Sequence, residues 1–89
     1  MQIEDWMKEN GYDKVSAFPY EKWRKKVTMC SGEVFELYIR TSSKYEKDNF
    51  NNYKYVAYSR SLNDISYEFS TIYGNDIKEL NEKMMKEIC

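Results

Sequence analysis

The feature that most narrows the possible folds is a period-two alternation running through the middle of the chain. From Val34 to Thr41, Phe35, Leu37 and Ile39 fall on one side of an extended backbone, and Val34, Glu36, Tyr38 and Arg40 on the other. Successive side chains of a strand point to opposite faces, so this segment is a strand with one apolar and one polar-aromatic face. Trp23, Lys25, Val27 and Met29 alternate with Arg24, Lys26, Thr28 and Cys30 just before it, and Ser31-Gly32 between the two reads as a hairpin turn. Tyr53–Arg60 repeats the pattern, with Tyr55 and Ala57 on one side and Lys54, Val56, Tyr58 and Arg60 on the other. Ile65–Tyr73 reads as a fourth strand, with Ile65, Tyr67, Phe69, Thr71 and Tyr73 facing one way and Ser66, Glu68 and Ser70 the other.

A helix flanks this block at each end. Ile3, Trp6 and Met7 share one helical face, Glu4 and Asp5 occupy the first turn, and Asn10-Gly11 closes it. Two turns are too few to be stable alone, so Trp6 must dock on the rest of the chain. Residues 12–19 read as a connector. At the other end, Asp76-x-x-Glu79 opens a helix in the manner of a capping box, and Ile77, Leu80, Met84 and Ile88 form its apolar stripe. The expected architecture is α+β: a two-layer sandwich in which an antiparallel four-stranded sheet carries an N-terminal and a C-terminal helix, in the order α-β-β-β-β-α. Both helices are expected on the face built from Phe35, Leu37, Ile39, Tyr55, Ala57, Tyr67 and Phe69, leaving the opposite face to water. Residues 1–89 make one domain, with no internal repeat.

Composition limits the chemistry. The chain has no histidine, two cysteines and three glycines. Serine, threonine and cysteine nucleophiles therefore lack their commonest base, and a closed zinc site and a phosphate-binding loop lack their residues. There is no Ser-x-x-Lys and no Glu-x-Lys, and residues 48–52 lack the glycine and distal glutamate of a calcium loop. The expectation is a protein that is not an enzyme and carries no cofactor or metal. Sparse cysteines and the absence of an Asn-x-Ser/Thr sequon point to a reduced, cytoplasmic setting. No apolar run is long enough to span a membrane, and the acidic start, Glu4-Asp5, is not a signal-peptide pattern.

Charge is unevenly distributed. Residues 1–20 carry two Lys against four acids, residues 21–60 nine Lys/Arg against five, and residues 61–89 three Lys against six. The basic middle coincides with the strands. On the expected register the wet face holds Arg24, Lys26, Glu36, Tyr38, Arg40, Lys54, Tyr58, Arg60 and Glu68. Tyr and Arg are enriched at protein–protein hot spots, so this face suits an acidic groove on a partner protein. The polar stretch 42–52, SSKYEKDNFNN, reads as a loop whose Tyr45 and Phe50 either fold back or join the contact. The candidate contact set is Tyr38, Arg40, Tyr58 and Arg60 on the sheet, with Tyr45 and Phe50 on the loop. The leading reading is a non-catalytic protein-binding inhibitor or adaptor. The alternative is a single-stranded nucleic-acid-binding module that stacks bases on the same tyrosines. A homodimer through a sheet edge is a third possibility.

The α-β-β-β-α part of the order resembles the double-stranded RNA-binding domain, which puts a lysine cluster at the start of its last helix. Here that helix begins Asn75-Asp76-Ile77-Lys78-Glu79, so the likeness covers element order and not the RNA-contacting residues. A small toxin family on that fold uses a catalytic histidine, which this chain lacks. In size and in its Asn/Lys/Tyr-rich composition the whole chain is similar to the short proteins of phages and mobile elements in low-GC bacteria, anti-CRISPR inhibitors among them. That resemblance implies one compact domain acting by occupying a surface on a host nuclease or other nucleic-acid-processing effector. It carries no motif and assigns no residue a role.

Overall fold

The computed structural model describes residues 3–18, 20–43, 52–63 and 71–88. Helix α1 (Ile3–Glu9) is followed by strands β1 (Asp13–Ser16), β2 (Lys22–Thr28), β3 (Val34–Thr41), β4 (Tyr55–Ser61) and β5 (Ile72–Gly74), then helix α2 (Ile77–Ile88). The strands form one antiparallel sheet in the order β1-β2-β3-β4-β5. The α+β class and the two terminal helices agree with the sequence expectation, but the sheet has five strands rather than four. The extra strand, β1, lies within the segment read as a connector. Its residues are exposed except for half-buried Ser16, so it has no burial pattern to betray it. Backbone pairing with β2 holds it, and its register slips between Lys14 and Ser16. No helix among the described residues is long and apolar enough to cross a membrane.

The ends of α1 follow from local chemistry. The Tyr12 N–H donates to the Met7 carbonyl at 2.9 Å and the Gly11 N–H to that of Lys8 at 3.2 Å. With Gly11 at φ 85° this is a Schellman stop, a conformation that costs other L-residues about 1–2 kcal/mol. It turns Tyr12 back toward α1, where its ring stacks on Trp6 with centroids 6.4 Å apart. Tyr12, assigned to a connector on sequence grounds, is a core residue at 1% exposure, whereas Ile3 of the expected helical stripe is exposed. The Tyr12 hydroxyl donates to Asn81 Oδ1 at 2.7 Å, tying the α1–β1 corner to α2. Burial pushes the Tyr12 phenol's pKa well above its ordinary value.

The core lies where the alternation puts it. Leu37, Ile39 and Ala57 on the sheet, with Trp23 from β2, pack with Met7, Tyr12, Ile77, Leu80 and Met84. Tyr55, Ile72 and Ile88 border this cluster. Asp76 caps α2 by accepting from the Lys78 N–H at 3.0 Å. Glu79, the expected second arm of the capping box, pairs instead with Lys83 at 3.0 Å.

The fourth strand read over Ile65–Tyr73 is described only from Thr71 onward; residues 64–70, with Tyr67 and Phe69, lie outside the described residues. The face assigned to Tyr73 is corrected. Ile72 pairs with Ala57 and Gly74 with Tyr55 on the helix side, so Tyr73, opposite Val56, points to the other face. The physical reason is close approach: a Cβ on Gly74 would lie 3.1 Å from Leu80 Cδ2 and 3.3 Å from its Cγ. A glycine at the position facing α2 spares the Leu80 side chain this crowding, and its neighbour Tyr73 takes the opposite parity.

Candidate functional site

The register of β2, β3 and β4 assembles the polar-aromatic face. Arg24, Tyr38 and Tyr58 lie in one cross-strand row, Lys26, Glu36 and Arg60 in the next, and Lys22, Arg40 and Val56 in the row on the other side. Sequence reasoning thus brought Tyr38, Arg40, Tyr58 and Arg60 together correctly. Tyr45 and Phe50 lie outside the described residues.

Tyr38 and Tyr58 are direct cross-strand partners. Their rings stack with centroids 5.0 Å apart and planes at 12°. Such a pair contributes about 0.5–1.5 kcal/mol beyond the area it buries. Lys22 Nζ sits 4.8 Å from the Tyr38 centroid and 5.8 Å from that of Tyr58, a cation over an aromatic pair. Lys22 was missed because the expected strand began at Trp23. The signal was present, since Lys22 has the parity of Arg24 and Lys26. Arg40 stands across the ladder from Lys22; its guanidinium lies 5.7 Å from the Tyr20 ring centroid and donates to the Thr41 carbonyl at 3.1 Å.

Glu36 anchors the other end. It is 3% exposed, and it accepts from Arg60 Nη2 at 2.5 Å and from the Tyr38 hydroxyl at 3.1 Å, with Arg24 Nε 3.6 Å from its second oxygen. Burial works to raise its pKa, but the Arg60 and Tyr38 hydrogen bonds and the charges of Arg60 and Arg24 outweigh it and hold the carboxyl below the usual range. The same contacts raise the Arg60 pKa further. Charge-assisted donors thus shift this buried carboxyl toward its ionised form.

The folded chain therefore binds fewer protons at Glu36 than the unfolded chain. The resulting stability is complete above the unfolded value of about 4.3 and is lost as pH falls through the lower folded value. Urea midpoints measured from pH 7 down to pH 3 should fall more for the wild type than for Glu36→Gln, whose amide does not titrate. Parallel profiles would show that Glu36 is not held ionised by these partners.

The sequence reading expects this face to be open to water, but it is not uniformly so. Val56 is fully buried, flanked across the ladder by the longer Arg40 and Tyr73, and Glu36 is buried beneath its donors. Tyr38 and Tyr58 are half-buried, while Arg24, Lys26 and Arg60 are exposed. What reaches solvent is a fixed aromatic pair framed by cations. On the helix side, a cleft of about 250 Å³ between α1 and β1 is lined by Met7, Tyr12 and Trp23 among others. It is below the roughly 300–1,000 Å³ of ordinary small-molecule sites.

Comparison with protein-family models, with curated proteins and with solved structures returns no match to this chain.

Proposed function

We propose that this chain is a non-catalytic protein-binding module, an inhibitor or adaptor that lays its Tyr/Arg sheet face over an acidic groove of a partner. The observation that carries the reading is the Tyr38–Tyr58 stack set between Lys22 and the Glu36–Arg60 pair. Aromatic and arginine side chains already fixed in place lose little rotamer freedom on binding, which is the quality of an interface hot spot. The mechanism is steric: the face covers a functional surface of the partner. Resemblance in size and composition to anti-CRISPR-type proteins of phages and mobile elements supports a host nucleic-acid-processing effector as that partner.

The same geometry disfavours base stacking. The stack takes up one face of each ring and Lys22 lies close to both, which leaves a base less ring area than a free tyrosine offers. Affinity capture by the tagged chain from a low-GC bacterial lysate, followed by mass spectrometry, should recover one protein in stoichiometric amount. Its absence, together with salt-sensitive fluorescence-anisotropy binding of mixed single-stranded oligonucleotides, would replace this reading with the nucleic-acid one.

A further inference from the structure

Phe18, in the connection between β1 and β2, is 88% exposed. Among the described residues, the other exposed large apolar side chains, Ile3, Val15, Tyr20 and Leu62, lie between 38% and 41%. Isolated apolar residues on a surface need no explanation, but Val15, Phe18 and Tyr20 fall within one hairpin. That hairpin is anchored. The Ser16 hydroxyl donates to the Phe18 carbonyl at 3.2 Å, and the Thr41 N–H donates to the Glu21 carbonyl at 3.0 Å, extending the β2–β3 pairing to its root. The Tyr20 ring lies beside the Arg40 guanidinium, Arg40 is paired with Lys22, and Lys22 sits over Tyr38 and Tyr58. The hairpin is thus continuous with the aromatic-cationic face.

We propose that Phe18 is the apolar anchor of the partner contact, and that it enters an apolar pocket whose rim is acidic. This rests on the protein-binding reading above. The acidic rim follows from charge: Arg40, Lys22 and Arg24 line the way from the hairpin to the tyrosine pair, and the acid between these strands, Glu36, is buried and ion-paired. A protein pocket fits better than a nucleic acid. At the hairpin's root Lys14 is held between Glu4 and Glu21, at 3.5 and 3.6 Å, so its ammonium is already paired with carboxylates and is not offered to a phosphate backbone.

The test uses the full chain and the partner recovered by the lysate capture, purified. Phe18→Ser should lose at least tenfold in affinity, with a melting curve superimposable on the wild type because the ring contributes little buried area. The wild-type affinity should also fall as NaCl rises from 50 to 500 mM. Phe18→Ser binding within twofold of wild type overturns the anchor, while loss of binding in Tyr58→Ala in the same series leaves the sheet-face reading standing. No stoichiometric partner in the wild-type capture overturns both. Sedimentation in which the wild type dimerises and Phe18→Ser is monomeric assigns the anchor to a second copy and overturns the proposal.

Discussion

Tyr58→Ala is expected to weaken binding of the captured partner by about 30-fold or more while the chain stays folded. The ring is half-buried, stacked on Tyr38 and in reach of the Lys22 ammonium. Truncating a hot-spot aromatic costs 2 kcal/mol or more in binding, and each 1.4 kcal/mol is about tenfold. Losing the stack also removes about 1 kcal/mol of stability, which lowers Tm by roughly 4–8 °C in a domain of this size. The two effects separate: calorimetry reads the first, thermal melting the second. Tyr58→Phe keeps the ring and should restore most of the affinity. If Tyr58→Ala binds as the wild type does, the face is a structural feature of the sheet and the proposed contact lies elsewhere.

Leu37→Ala is expected to destabilise the fold by about 2–5 kcal/mol. Leu37 is fully buried at the centre of β3, the middle strand, on the side covered by the helices. Its lateral neighbours are Lys25 and Ser59, so no large apolar side chain on either adjacent strand lies directly across to fill the gap. A chain of this length has roughly 4–13 kcal/mol in total, so the variant stands near the limit of folding. Urea denaturation measures the loss, and Leu37→Met, close in volume, should cost less than about 1.5 kcal/mol. A loss below about 1 kcal/mol for Leu37→Ala would mean that the helices do not cover this face.

These two expectations rest on neighbouring residues of opposite parity, and that parity was legible in the sequence. Phe35, Leu37 and Ile39 alternate with Glu36, Tyr38 and Arg40, and Tyr55 and Ala57 with Tyr58 and Arg60. A one-residue slip would reverse every one of these, so a half-buried strand writes its register into its composition. The stripe Ile77, Leu80 and Met84 was legible for the same reason. What could not be read was held by backbone or by geometry rather than by burial. β1 has exposed side chains and is fixed by main-chain pairing. Tyr12 is buried because the helix stop turns it inward, and neither its neighbours nor a period announces that.

The sequence by itself determined the class of the fold, the two helices, the helix-facing side of the central strands and the membership of Tyr38, Arg40, Tyr58 and Arg60 in one face. Periodicity is a local property, and the side of an element follows from it. Tertiary structure alone decided that five strands pair, that Gly74 faces Leu80 while Tyr73 points the other way, and that Tyr38 and Tyr58 stack in register with Lys22 above them and Glu36 clamped by Arg60. Each of these depends on distances between residues far apart in the chain, which exist only once the strands have paired.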